Sequence, residues 1–152
     1  MVSTETLQDL LDASMAVASP FTRSLESENR TAHQVEEFIN ATRNVTLAVV
    51  RRNGQPHAVP VIGGCIDGEI YVTVSLGSVL ANCLDRSPEI AFTVADLVHS
   101  LIGSGTAKKV GRPSESAELC ERLDRASPLG KFAPDGWNGF VFALHPRRLF
   151  AW

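Results

Sequence analysis

Apolar residues recur along this chain with two different spacings, and the spacing changes near residue 45. Before that point the period is helical. Leu7, Leu10, Leu11, Ser14 and Met15 stand at i, i+3, i+4, i+7 and i+8, one face of an amphipathic helix over residues 4–17. Pro20 and the polar run Ser24-Leu-Glu-Ser-Glu-Asn-Arg predict a linker. Thr31 and Gln34 are spaced as a capping box, so a short helix follows with Val35, Phe38 and Ile39 facing inward.

From Val45 the period is two. Val45, Leu47 and Val49 alternate with Thr46, Ala48 and Val50 in a strand apolar on both faces. Asn53-Gly54 predicts a type I′ hairpin turn, which needs positive φ at both central residues. The return strand runs from about His57 to Ile62, and Pro60 marks an edge or a bulge in it, because proline has no N–H to give the ladder. Asp67-Gly68 makes a second tight turn into Ile70–Val74, completing an antiparallel meander.

Ser75-Leu-Gly-Ser78 then leads into a short helix with Leu80, Cys83 and Leu84 on one face and Ser78 as its N-cap. Ser87-Pro88 ends it. Ile90, Phe92 and Val94 read as a fourth strand, and Val98–Val110 as a fifth. Pro113 and Ser114 open a helix carrying Leu119 and Leu123, and a Gly/Pro-rich loop spans Ser127–Gly136. Phe140–Leu144 and Arg148–Trp152 are the last two strands. The pattern predicts an α+β domain dominated by β, an antiparallel barrel of six to seven strands with Greek-key-like order and short flanking helices.

Composition narrows the function more than the fold. At 152 residues the chain suits one domain with a core of its own. A net charge of −3, with basic residues gathered only in the pairs Arg51-Arg52, Lys108-Lys109 and Arg147-Arg148, argues against nucleic acid or an anionic membrane as partner. No apolar run approaches the ~20 residues of a membrane span. The N-terminus lacks the basic and apolar regions of a signal peptide, so a cytoplasmic protein is expected and the sequons at Asn29, Asn40 and Asn44 are chance matches. Cys65, Cys83 and Cys120 are odd in number and widely spaced, which supports neither a disulfide framework nor a metal site. Gly103-Ser-Gly105-Thr-Ala-Lys108 echoes a dinucleotide fingerprint but lies in a β-periodic run without a βαβ unit. Glu118, Glu121 and Asp124 are spaced as a solvated helix face.

The order of short pieces carries a resemblance. Arg51-Arg-Asn-Gly-Gln-Pro-His-Ala-Val-Pro-Val61 is followed by Asp67-Gly-Glu-Ile-Tyr-Val-Thr-Val-Ser75 and Gly77-Ser-Val-Leu-Ala-Asn-Cys-Leu84. Ser87-Pro-Glu-Ile-Ala-Phe-Thr-Val94, Gly105-Thr-Ala107 and Pro146-Arg-Arg-Leu-Phe-Ala-Trp152 complete the run. This series resembles the pyridoxamine-phosphate-oxidase-like split barrels over residues 33–152. The resemblance implies a split-barrel domain over 31–152, preceded by a helix and linker (1–30) that could wrap a partner subunit. It implies a homodimer holding FMN at the subunit interface and a small-molecule substrate, with a deazaflavin or haem in some branches.

The cofactor residues it implies are His57, Val59, Pro60, Thr73, Val74, Ser75, Ser78, Val79, Asn82 and Trp152. His57 and Val59 share a strand face. Ser78, at the start of a helix behind a Gly-containing loop, presents a ready anion site. Trp137 and Trp152 are amphipathic aromatics that suit an interface and could cover a flavin from the partner. One departure stands out: where many relatives carry Lys or Arg, this chain has Val79 and Leu80. Phosphate binding would then rest on the helix N-terminus, Ser75, Ser78 and neighbouring Arg51, Arg52, Lys108 or Lys109. The expected activity is that of an FMN-dependent oxidoreductase. The alternatives are a deazaflavin-dependent reductase and a non-catalytic flavin- or haem-binding sensor, with a haem ligand among His33, His57, His99 and His145. No catalytic side chain and no metal site are assigned.

Overall fold

The computed structural model describes residues 4–24 and 30–152, so residues 25–29 of the expected linker, and the sequon asparagine Asn29, lie outside the described residues. Helix α1 (Thr4–Ala16) buries Leu7, Leu11 and Ser14, the face read from the spacing, and a short α2 (Pro20–Ser24) follows. Helix α3 (Ala32–Thr42) starts with the capping box: the Gln34 amide donates to Thr31 Oγ1 at 3.3 Å, and the Thr31 amide donates to Gln34 Oε1 at 2.9 Å. It ends at Arg43, which is left-handed (φ 53) and donates its amide to the Ile39 carbonyl at 2.8 Å.

Six strands follow: β1 (Asn44–Val50), β2 (Pro56–Ile66), β3 (Glu69–Ser75), β4 (Glu89–Ala95), β5 (Ser100–Gly111) and β6 (Gly139–Ala151). They close an antiparallel barrel in the order β1-β2-β3-β6-β5-β4, with β4 pairing back onto β1 through Thr46↔Thr93 to Ala48↔Ala91. Alternate residues of these strands, among them Val45, Leu47, Val72, Val74, Phe92, Leu101 and Leu149, fill the interior. Helix α4 (Val79–Arg86) packs Leu80, Cys83 and Leu84 against β1 and β3. Helix α5 (Ala117–Arg125), behind a 3-10 turn at Pro113–Glu115, covers a smaller cluster of Leu123, Phe132 and Val141 outside the barrel.

Several local readings change: Pro20–Ser24, expected to begin the linker, is helical, and β5 begins at Ser100 rather than Val98. Asn53-Gly54 is not a type I′ turn, because only Gly54 has positive φ (87). The Gly54 amide donates to the Arg51 carbonyl at 2.9 Å and the Arg51 amide to the Gln55 carbonyl at 2.8 Å, a three-residue connection with a glycine bulge. Asn53 serves through its side chain, whose Oδ1 accepts the Gln55 amide at 3.0 Å. The type I′ geometry sits instead at Asp67 (φ 52) and Gly68 (φ 76). The last two expected strands are one, β6. Pro146 has no N–H for the ladder, and the register against β5 slips between Ser104 and Gly105 rather than breaking.

The chain's own barrel covers α1. Ser14 Oγ accepts the Leu149 amide of β6 at 2.9 Å, and Gln8 Oε1 accepts the Ala32 amide of α3 at 2.8 Å. Arg43 is buried between α3 and α5, where a guanidinium nitrogen donates to the Leu123 carbonyl and the group lies 5.8 Å from the Phe132 ring centre. Burial lowers its pKa, and nearby Asp124 opposes the shift. Asp124 is not merely part of a solvated face: its Oδ1 accepts the Phe132 amide at 2.7 Å. No described helix is long and apolar enough to cross a membrane.

Candidate functional site

The barrel is closed in order but split in detail. β2 pairs with β1 through Pro56–Ile62, whereas β3 joins it only from Gly63↔Val72 to Ile66↔Glu69. Strand β2 bonds toward β1 through its odd residues, as the Gly63 amide to the Arg43 carbonyl (2.8 Å) shows, so Ala58 and Pro60 turn their backbone groups to the open side. Pro60 thus stands where a missing N–H costs nothing. A cleft of about 340 Å³ opens at this gap, lined by His57, Val59, Pro60, Val61, Ile62, Thr73, Ser75, Ser78, Val79, Leu80 and Trp137.

Its walls are apolar with a few aimed polar groups. Trp137 donates its indole N–H to Ser75 Oγ at 3.0 Å, tying the Gly/Pro-rich loop to the end of β3. Thr73 Oγ1 lies 3.4 Å from the Ile62 carbonyl, bridging the split. Ser78 caps α4 by accepting the Ala81 amide at 3.1 Å, and Asn82 donates its amide to the Ser78 carbonyl at 3.1 Å. The Val79 and Leu80 amides are left as the first-turn donors without a partner among the described residues. Arg51 lies 3.3 Å from His57 Nδ1; arginine only donates, so that nitrogen accepts and the ring proton resides on Nε2.

Seven of the ten residues implied by the resemblance therefore meet in one cleft: His57, Val59, Pro60, Thr73, Ser75, Ser78 and Val79. Three stand elsewhere. Val74 points into the barrel core, one residue out of phase with Thr73. Asn82 lines an adjoining depression. Trp152 pairs with Ser100, at the end of β6 opposite the cleft. Val61 and Ile62 also line the cleft, and Val61 was legible by extending the period-two row from His57 and Val59. Leu80, a core residue of its helix by spacing and one of the two positions where relatives carry a basic residue, lines the cleft as well.

Of the four histidines only His57 lines the cleft. His33, His99 and His145 lie within 3.3 Å of Glu37, Asp96 and Glu69 respectively. Lys109 sits over the Phe140 ring (4.1 Å) and pairs with Asp85 rather than facing the cleft. Cys65 is buried, and burial with neighbouring Glu36 pushes its thiol up, away from nucleophilic use.

A six-stranded antiparallel barrel with a cleft at a strand split and a capped helix beside it defines a split-barrel protein. The sequence profile of the pyridoxamine 5′-phosphate oxidase family matches residues 31–152, and the chain belongs to that family. No curated protein matches the sequence. Among solved structures, the conserved hypothetical protein Rv2991 from Mycobacterium tuberculosis shares 21% identity over 83% of this chain and 89% of its own, with a TM-score of 0.59. An F420 reductase shares 18% over 75% and 94% (TM-score 0.58). The haem storage protein HutZ from Vibrio cholerae shares 22% over 78% and 92% (TM-score 0.56). At such identities the likeness is one of fold.

Proposed function

We propose that this chain is a dimeric flavoprotein oxidoreductase that holds a phosphate-bearing flavin, FMN being the simplest, in the cleft at the β2–β3 split. The observation that carries this reading is the pairing of two features in one concavity. Unpartnered backbone groups of β2 face a flat, apolar gap, and the free Val79 and Leu80 amides stand at one end of it. The first suits the polar edge of a fused ring system, and the second suits a phosphate at the positive end of a helix. The volume is at the lower end of the ~300–1,000 Å³ usual for small-molecule sites.

In this reading His57, Val59, Pro60 and Thr73 flank the ring, and Ser75, Ser78 and the α4 amides take the phosphate. Trp137, fixed through Ser75, closes the outer side. When bound, a flavin supplies the hydride and electron chemistry; the chain orients it and excludes water from one face. A second copy of the chain completes the cleft, and Trp152, far from the cleft of its own chain, reaches that of the partner.

The test is the absorbance spectrum of the concentrated protein, followed by reconstitution with FMN and identification of what denaturation releases. A flavin spectrum with FMN recovered, from a species of twice the chain mass in sedimentation, is the expected result. Bleaching by a reduced nicotinamide, directly or through a reductase, would then mark it as an enzyme. A colourless protein that takes up no FMN overturns the reading, and a Soret band replaces it with haem.

A further inference from the structure

Away from the cleft, at the other end of β3, a cavity of about 270 Å³ opens between helix α1, the β2–β3 turn and strand β6. It shares no residue with the cleft. Thr6, Leu7 and Leu10 line it from α1, Gly68 from the turn, and Leu144, His145 and Pro146 from β6. Successive strand residues ordinarily face opposite sides. These three share one cavity where the register against β5 slips beside Pro146, the kind of bulge that re-aims side chains. The surroundings are pinned without any ligand. Gln8 Oε1 accepts the Ala32 amide at 2.8 Å and Ser14 Oγ the Leu149 amide at 2.9 Å, which hold α1. Glu36 Oε2 accepts the Gly68 amide at 2.9 Å, which holds the turn. The α1 wall lies outside the residues 31–152 that the family profile matches.

Among the described residues, His145 is the one ionisable side chain in this lining. A carboxylate on the adjacent strand fixes its ring: Nε2 lies 3.2 Å from Glu69 Oε1. Glu69 is itself held, its other oxygen accepting the Tyr71 hydroxyl at 3.0 Å. Burial of Tyr71 and its bond to Glu69 keep that phenol protonated, so it stays a donor. A carboxylate only accepts, so Nε2 carries the ring proton. Nδ1 remains as an acceptor with no partner among the described residues, made more basic by the carboxylate behind it. The same arrangement limits what can bind. Glu69 repels a second carboxylate, and the hydrocarbon walls leave a phosphate or polyol without partners. A neutral molecule with an apolar body and one hydroxyl to donate meets both conditions.

We propose that the cavity between α1, the β2–β3 turn and β6 is a second binding site, for a small neutral ligand of the phenol class. The ligand hydroxyl donates to His145 Nδ1, and its ring lies against Leu7, Leu10 and Leu144. The volume, just under the ~300 Å³ where small-molecule sites begin, suits a single ring. The site is built by α1 and the slipped stretch of β6, so it stands whether or not the cleft holds a flavin.

The experiment titrates the isotope-labelled full chain with p-cresol, toluene and benzoate and follows amide and methyl shifts by NMR. Wild type is compared with His145→Phe and Leu10→Trp, whose folding is checked by thermal unfolding. Shifts with p-cresol should centre on Leu7, Leu10, Gly68 and Leu144 and spare Val59, Thr73 and Trp137 of the cleft. p-Cresol should bind about fivefold tighter than toluene, the worth of one net hydrogen bond, and benzoate no tighter than toluene. His145→Phe should erase the p-cresol advantage while toluene still binds. Leu10→Trp, which fills the cavity from α1, should abolish binding of both. If one variant does not fold, the wild-type discrimination and the other variant still decide. The proposal is overturned by shifts that are absent or centre on the cleft, or by equal affinity for p-cresol and toluene. Tighter binding of benzoate, or an advantage that persists in folded His145→Phe, overturns it equally.

Discussion

Ser78 does two jobs from one position. Its oxygen accepts the Ala81 amide at 3.1 Å, and as cap it starts the helix whose first residues, Val79 and Leu80, line the cleft with their amides unpartnered among the described residues. Ser78→Ala should cost about 1 kcal/mol of stability. In a chain of this size that lowers Tm by roughly 2–4 °C in thermal unfolding. FMN affinity should fall with it; an unchanged FMN titration would confine Ser78 to capping. Asp96 shows how backbone donors tune a carboxylate. The His99 and Val98 amides donate to it at 2.6 and 2.7 Å and hold its pKa at about 2, against an ordinary 3.8. Because the folded value is depressed, its support of the β4–β5 turn is whole above the ordinary value and is lost as pH falls toward 2. Amide proton shifts of Val98 and His99 should titrate together in that range; shifts that stay flat down to pH 2 would show the carboxylate does not hold the turn. The cap at Ser78 was legible because the donor is local in sequence. The Trp137–Ser75 bond joins residues 62 apart, which no local pattern reports.

The two hairpins show how far a turn motif carries. Asn53-Gly54 and Asp67-Gly68 look alike in sequence, yet only the second places both residues at positive φ. The first is drawn into a bulged turn by the Asn53 side chain, which holds the Gln55 amide. Gly54→Ala should therefore cost about 1–2 kcal/mol from left-handed strain alone, since an added Cβ there meets nothing within 4 Å. Asn53→Ala should cost only the side-chain bond, roughly 0.5–1 kcal/mol. Urea unfolding of the pair checks this; equal losses would mean that Asn53 shares the backbone demand. Strand β6 gives the converse lesson. Pro146 reads as a break between two strands, but pairing on both flanks carries the chain across it with one slipped register.

For the molecule as a whole, a buried hydrogen bond among apolar contacts helps to fasten α1 to the barrel. Ser14 is fully buried, and its Oγ is the acceptor for the Leu149 amide. Ser14→Ala leaves that donor unpaired and should cost about 1–3 kcal/mol in denaturant unfolding. A loss within error would show that the Ser14 bond does not help to hold α1. The same packing answers where the amphipathic face read from the sequence finds its cover: on β6 and α3 of its own chain. Barrel closure also sets the site. Because β3 pairs with β2 only as far as Gly63↔Val72, while its other edge stays paired with β6 to Ser75↔Gly139, a gap opens that pairing on both sides would have filled.

By itself the sequence determined what rests on neighbours a few residues apart: the helix faces, the two caps, the β1–β2–β3 meander and the Ser75–Ser78 loop. Those are decided by periods of two and 3.6 and by side chains within reach of their own backbone. Tertiary structure alone decided which strand edges stay open, that Val74 faces the core while Thr73 faces the cleft, and that Arg51, Arg52 and Arg86 share one hollow. The reason is physical: closing the barrel brings together residues whose separation along the chain carries no periodic mark, and charge and exposure there are set by what closure leaves unpaired.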